Sequence, residues 1–241
     1  MKFLKLLAVL FFDLIDKYIH QKNIIRALKG IKYYIEIYVD IGAHKGTYID
    51  VFRKSYDLKK IYAFEPQPEI YKNLKAKYRK LSYVKCYQEA ASNSNGYKLL
   101  NLNVHDLTSS FTKPNENNFY LKKKSKLFQT NIKNIFYKNI RVKVTRLSSF
   151  IKKKKIKEID LLKIDSEGHE FQVLQGIGKD ISKVSIILIE FHKPNIYLGY
   201  NSNKIHNHLI KNDFFLEKKI KFPLTTFEDR IYINRNILKN L

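Results

Sequence analysis

Two runs of the sequence, IDLLKI at 159–164 and SIILIE at 185–190, are apolar almost from end to end. A strand with one face in water alternates apolar and polar residues; a strand covered on both faces need not. Runs this short are too brief for buried helices. Two such strands require a sheet sandwiched between helical layers. The residues between them offer one helix, since Phe171, Leu174, Ile177 and Ile181 recur at helical spacing.

The same alternation starts earlier in the chain. YIEIYVDI (34–41) is β-branched and aromatic, ends in Gly-Ala-His-Lys-Gly, and is followed by the helix-like TYIDVFRK. KIYAFE (60–65) predicts a second strand. PQPEIYKNLKAKYRKL then carries Pro68 near a helix start, with Tyr71, Leu74, Tyr78 and Leu81 spaced 3, 4, 3. YVKCYQE (83–89) predicts a third strand. A helix is expected at about 203–212, and FFLEKKIKF and RIYINR predict a closing antiparallel pair. This order predicts an α/β fold: a doubly wound, mostly parallel sheet with helices on both faces. Residues 92–150 break the pattern. They are rich in Asn, Ser and Lys, and YKLLNLNV and NIRVKVTRL read as extra strands. The expected organisation is an N-terminal helical segment over 1–33 and one domain over 34–241, with an inserted β segment at about 92–150. No internal repeat is visible.

Charge is the compositional feature that bears on partners. The 241 residues carry 46 Lys plus Arg against 22 Asp plus Glu, a net +24. That suggests nucleic acid or an anionic membrane. Lys outnumbers Arg by 39 to 7, however, and Arg is the residue suited to bidentate phosphate recognition. With Asn, Ile and Tyr also abundant, the excess reads as codon bias on a solvated surface. KKKK at 152–155 and LKKKSK at 121–126 are then expected to be solvated loops or strand flanks. The single cysteine, Cys86, excludes an internal disulfide and fits a reducing compartment.

At the N-terminus the longest uncharged run, Leu6–Phe12, is far short of a membrane span. Asp13 and Asp16 follow at once, with no small-residue cleavage site, which argues against a signal peptide. Leu4, Leu7, Phe11, Leu14 and Tyr18 share one helical stripe. The stripe predicts a helix packed on the domain or in a dimer; a helix lying on a membrane surface is the alternative. The expected location is cytoplasmic, with residues 1–20 allowing peripheral membrane contact.

In open parallel sheets, ligands sit beyond the carboxyl ends of the strands. The first exit, VDIGAHKG (39–46), has Gly42 and Gly46 for a tight turn, and Asp40 to hold the loop or meet a ligand ammonium. The second exit ends in Glu65, placed to accept hydrogen bonds from a ribose diol. Helix-end complementarity is the structural alternative for that acid. Glycine turn plus acid favour an adenosine-type ligand. Gly-x-x-x-Gly replaces Gly-x-Gly-x-x-Gly, with His44 where the middle glycine would stand, and this counts against a dinucleotide.

VDIGAHKG, AFEPQPEIYKNL, QEAASNSNG, TSSF, VTRLSSF, IDLLKIDSEGHEFQVLQG and IILIEFH, in that order over about 37–235, resemble the FkbM-type methyltransferases. That family is similar to other class I S-adenosylmethionine-dependent methyltransferases, with a Rossmann-like seven-stranded sheet antiparallel only at its last strand. Its members are mostly O-methyltransferases, often acting on sugars or natural products. The resemblance implies that Asp40, Gly42, Ala43 and Gly46 meet the methionine end of the cofactor, and His44, in the same loop, is a further cofactor-binding candidate. It implies that Glu65 binds the ribose, and that Glu89 and Ala90 border the adenine. Ser109 and Ser110 resemble the family's Ser-rich turn. His44 and Lys45 depart from the family's more usual Asn and apolar residue.

One stretch, LLKIDSEGHE (161–170), concentrates acids in an acid-poor chain. It leaves strand four beside the glycine loop, where methyl donor and acceptor should meet. Asp165 is the first residue past the apolar run and is expected to face the cleft, both near the cofactor and as a candidate base. Glu190 and His192 leave the next strand, so Asp165, Glu190 and His192 are expected to converge as base and substrate holders. A divalent cation held by the same groups is a weaker alternative, because no spacing demands one. Glu167 and Glu170 are expected to serve the turn and the helix start. His169, His206 and His208 are expected on helix surfaces.

These readings predict an S-adenosylmethionine-dependent O-methyltransferase acting on a hydroxyl of a sugar, glycan or related small molecule. The charge would suit a phosphorylated, nucleotide-linked or lipid-linked acceptor. A nucleic-acid methyltransferase or RNA-binding protein of the same fold is the alternative. It lacks support from an Asn/Asp-Pro-Pro-Tyr-like exit at strand four. A scaffold that has lost its cofactor, and a nicotinamide oxidoreductase, are disfavoured by the intact acids and by the glycine spacing. Acceptor specificity is expected in 100–150 and 193–203.

Overall fold

The computed structural model describes residues 15–31, 34–103, 109–113, 115–118, 122, 136–192, 196–223 and 227–238. A π-helical turn, Asp16–His20, leads into α1 (Gln21–Ile31). Then come β1 (Ile37–Ile41), α2 (Thr47–Ser55), β2 (Lys60–Phe64), α3 (Pro68–Lys77) and β3 (Val84–Tyr87). β4 (Ala90–Ala91), β5 (Gly96–Asn103), β6 (Phe136–Thr145) and α4 (Leu147–Lys154) follow. The chain continues through β7 (Ile159–Ile164), α5 (Glu170–Ile177), β8 (Val184–His192), α6 (Ser202–Lys211), β9 (Phe214–Lys221) and β10 (Phe227–Asn234).

Seven strands form the main sheet in the order β3-β2-β1-β7-β8-β10-β9. β1 pairs in parallel with β2 and β7, and β7 with β8, while β10 runs antiparallel to both its neighbours. The fold is thus the doubly wound α/β sheet that the apolar runs require. Successive strand residues face opposite ways, so each central strand feeds two cores. Tyr38, Ile61, Leu161, Ile186 and Leu188 pack with Ile24 and Leu28 of α1, Ile49 and Phe52 of α2 and Leu74 of α3. Val39, Tyr62, Leu162, Ile187 and Ile189 pack with Phe150 of α4, Val173 and Leu174 of α5 and Leu209 of α6. Asp160, at the start of β7, accepts from the amides of Glu36 and Ile37, both at 2.9 Å, and sets where β1 begins.

The strand order reverses between β1 and β7: the chain builds outward through β2 and β3, then returns to β7 on the other side. The two loops leaving these strands diverge, and a cleft opens between them. A separate three-stranded sheet, β4-β6-β5, arises from the irregular stretch between β3 and β7. It meets α5 so closely that a Cβ on Gly176 would lie 1.9 Å from the Ser92 carbonyl oxygen.

Several expectations need correction. Lys152–Lys154 form the last turn of α4, where cations suit the helix dipole, instead of a loop or strand flank. The helical stripe through Ile181 is split, with α5 ending at Ile177 and a 3-10 segment, Gly178–Lys183, following. His206 and His208 are half-buried: His206 Nδ1 lies 2.9 Å from the Tyr232 hydroxyl, and His208 meets Phe171 edge-on. The described part of the N-terminal segment packs on the sheet through Ile24 and Leu28, and His20 Nε2 lies 2.7 Å from Asp229 of β10. The stripe from Leu4 to Leu14, and all of 121–126 except Lys122, lie outside the described residues. Among the described residues, no helix is long and apolar enough to cross a membrane.

Candidate active site

The cleft at the β1/β7 exits is lined by Asp40, Gly42, Ala43 and His44 from the first loop and by Glu65 after β2. Asp165, Ser166 and Glu167 line it from the β7 exit, and Glu190 from β8. Ala90 and Ser109 close it from the inserted segment, and Asp16 from the N-terminal turn.

Backbone contacts build the β1/β2 side. Gly42 has φ 80°, and a Cβ there would stand 1.9 Å from the carbonyl oxygen of Asp165. Only glycine therefore lets the β1 exit pass against the β7 exit. The amides of Gly42 and Ala43 both donate to the Phe64 carbonyl, at 3.1 and 3.0 Å. Glu65 is 3% exposed and accepts from the amides of His44 (3.0 Å) and Gln67 (2.9 Å). Burial pushes its carboxyl up to about 7, against the pull of those two amides. His44 holds φ 47°, a left-handed position that Asn and His tolerate better than most residues. Gly46 turns away from the cleft. Its φ is 75°, its carbonyl accepts from the Tyr78 hydroxyl at 2.7 Å, and a Cβ would strike that ring.

Side chains build the β7/β8 side. The register pairs Asp40 with Lys163 and Asp229 with Glu190, so these residues and Asp165 point to the same face of the sheet. Lys163 is 2% exposed, with Nζ 2.9 Å from Asp165 Oδ2, 3.9 Å from Asp40 Oδ1 and 4.5 Å from the centre of the Tyr48 ring. Burial opposes its charge, but the two aspartates outweigh this and raise its pKa. Burial likewise opposes the Asp165 carboxylate, yet Lys163 holds it below its ordinary value. Asp40 has no such close partner. Its cation Lys163 stands 3.9 Å away, and burial pushes it up to about 6 despite Lys163 and the neighbouring Tyr38 hydroxyl. Glu190 is raised well above the ordinary range, by burial first and then by Asp165 and Glu167.

LLKIDSEGHE folds into a turn that separates its acids. Asp165 lines the cleft, as its position at the end of a buried run suggested. Glu167, at φ 52°, accepts from the Tyr197 hydroxyl, and its carbonyl accepts from the Ser110 hydroxyl. Glu170 is fully buried and clamps the turn: one oxygen accepts from the Ser166 amide, the Ser166 hydroxyl and the Gly168 amide, each at 3.1 Å. The expectation for His169 is overturned. It is 4% exposed, its Nε2 lies 2.9 Å from Ser92 Oγ, and its ring packs on Phe111. Burial, with Lys98 nearby, pushes it down to about 3.

A family model for the methyltransferase FkbM domain matches residues 40–217, which hold both sides of this cleft. The chain belongs to the FkbM methyltransferase family. No curated protein sequence matches it. Among solved structures it resembles the methyltransferase FkbM from Methylobacillus flagellatus KT, with TM-score 0.53 and 14% identity over 83% of this chain and 43% of that one. The present chain thus spans less than half the length of that protein. It also resembles magnesium protoporphyrin IX methyltransferase from Synechocystis PCC 6803 with bound SAM (TM-score 0.48, 7% identity, 89% and 77% covered). A third is M. capricolum TrmK in complex with S-adenosyl-homocysteine (TM-score 0.48, 14% identity, 88% and 68% covered). At these identities the likeness is one of fold.

In this FkbM-family chain, the residues singled out from sequence divide by place. Asp40, Gly42, Ala43, His44, Glu65, Ala90, Asp165 and Glu190 line the cleft. Gly46 packs behind its loop, and Glu89 is turned to Lys143, 2.7 Å away. His192 lies just behind the lining, 3.3 Å from Glu190. Sequence reasoning missed Lys163 and Tyr197, and gave Glu167 to the turn alone, whereas it also lines the cleft. A lysine inside an otherwise apolar run was a usable signal for the first, because a charge buried in a strand needs a partner.

Proposed function

We propose that this FkbM-family chain transfers a methyl group from S-adenosylmethionine to a hydroxyl of a sugar, glycan or related small molecule. The observation that carries the reading is the buried Asp40 carboxylate in the cleft beside Gly42, whose one cation, Lys163, stands off at 3.9 Å. An anionic wall against a close-approaching backbone suits a ligand bearing both an ammonium and a sulfonium. Ala43 and His44 extend that wall, Glu65 faces the ribose hydroxyls, and Ala90 borders the adenine. Glu65 can do so while clamped, since each oxygen has a second lone pair.

When bound, S-adenosylmethionine supplies an electrophilic methyl on a positively charged sulfur. The chain's own residues must hold the acceptor oxygen in line behind that methyl, roughly 3–3.5 Å away. They must also accept the hydroxyl proton as the C–O bond forms and the S–C bond breaks. Asp165 accepts a hydrogen bond from the acceptor hydroxyl, with Lys163 keeping it ionised. Glu190 and His192 flank it on the acceptor side. In this reading, residues 40–217 carry the chemistry and the inserted sheet borders the acceptor.

The test is methyl transfer from labelled S-adenosylmethionine to a panel of free, nucleotide-linked and lipid-linked sugars, with RNA and DNA alongside. Label on a sugar hydroxyl supports the reading. Label on nucleic acid, together with binding whose salt slope exceeds that for heparin, would replace it with the nucleic-acid alternative.

A further inference from the structure

Beside Asp165, on the acceptor side of the cleft, three side chains meet in an arrangement that the methyl-transfer reading leaves unexplained. Glu190 and His192 are two residues apart on β8, so strand periodicity turns both to one face. Glu167 reaches the same place from the left-handed turn after β7. One donor atom from each of the three lies within 4.8 Å of the others. His192 is 8% exposed, and its ring is wedged edge-on against Tyr197 and Tyr200, with centroids 5.0 and 5.4 Å away. Its Nε2 points at Glu190 Oε2 from 3.3 Å, yet neither atom has a hydrogen-bond partner.

That pairing is chemically incomplete. Two buried polar atoms facing each other at 3.3 Å without a hydrogen bond are costly. A cation between them removes the cost. Two donors of one ion at bond lengths of ~2.0–2.2 Å stand roughly 3.0–3.4 Å apart, which the Glu190–His192 spacing matches. The supporting contacts have the character of an outer shell. The Tyr197 hydroxyl holds one Glu167 oxygen, and the Tyr200 hydroxyl accepts from the His192 amide at 3.0 Å.

We propose that Glu167, Glu190 and His192 form a binding site for a first-row divalent cation. Two carboxylates and an imidazole suit Mn²⁺ or Zn²⁺ better than Mg²⁺ or Ca²⁺, which prefer oxygen alone. Glu167 and Glu190 also line the cleft, so the ion's remaining positions open towards it. There the ion would coordinate an acceptor hydroxyl. That role rests on the methyl-transfer reading, whereas the existence of the site does not.

The experiment is calorimetric titration of the full, chelator-stripped chain with MnCl2 alone. The expected result is one Mn²⁺ per chain, weakened at least ~10-fold in Glu190→Gln and in His192→Ala, with His206→Ala unchanged. Circular dichroism checks each variant's fold, and Glu167→Gln serves in place of either that fails to fold. No binding by the wild type, or binding unaltered in the folded site variants, would overturn the proposal. Methyl transfer that persists in a chain binding no Mn²⁺ would remove this site and keep the function. One-site Mn²⁺ binding without transfer to any acceptor would keep the site and remove the function.

Discussion

The two sides of the cleft are made differently. On the β1/β2 side, the positions are set by main chain: Gly42 against the Asp165 carbonyl, two amides on Phe64, and Glu65 held by two more amides. On the β7/β8 side they are set by side chains in mutual electrostatic balance, with Lys163 between Asp40 and Asp165, and Glu190 beside Glu167 and His192. A backbone-built wall can serve one ligand shape with little adjustment. A wall of balanced charges responds to protonation, to cations and to substitution. That contrast fits the proposed cofactor half and acceptor half, with Asp40 of β1 tied to the second through Lys163.

The largest expected effect falls on the backbone side. Gly42→Ala forces a methyl into the Asp165 carbonyl at a positive φ, a strain on the order of 4 kcal/mol. For a chain of this size that is roughly a 10 °C fall in Tm, with loss of S-adenosylhomocysteine binding. A scan and a titration check both, and an unshifted Tm would show that the two exits are not in contact. Next is Lys163→Met, which leaves Asp165 and Asp40 buried without their cation and should cost about 3 kcal/mol. Both carboxyls would then bind protons more tightly folded than unfolded, so the variant should recover stability as pH falls. Equal Tm at pH 5 and pH 8 would contradict the charge balance.

Asp165→Asn should preserve the fold and lower methyl transfer roughly 10²-fold. Normal turnover by the variant would remove Asp165 from the acceptor side. The smallest effect is a pH dependence on the backbone side. Glu65 is raised from 4.5 to about 7, so the folded chain holds a proton that the unfolded chain has released. Its contribution to stability therefore declines as pH rises from 4.5 through about 7. A ribose diol favours the ionised form, so affinity for S-adenosylhomocysteine should rise at most ~10-fold per pH unit towards pH 7 and level above it. Glu65→Gln should flatten the profile, and a flat wild-type profile would break the assignment.

The same division explains what could be read in the sequence. The sheet was legible because IDLLKI and SIILIE admit only strands covered twice, and the Gly42 turn because positive φ selects glycine. The β7/β8 side was legible only in part. Asp165 and Glu190 end apolar runs, which marks them. Glu167 does not, because its direction depends on a left-handed turn held by Ser110 and Tyr197, far away in the chain. His169 was misplaced for the same reason: Ser92, which buries it, comes from 77 residues upstream. Lys163 could have been found by asking how a buried ammonium is neutralised.

The most direct test is isothermal titration calorimetry of the purified chain with S-adenosylhomocysteine, with NAD as the control. One-site binding of S-adenosylhomocysteine in roughly the micromolar range, and none of NAD, is the predicted result. Folded protein that binds neither, or that binds NAD instead, would contradict the assignment of the cleft between β1 and β7 to an S-adenosyl ligand.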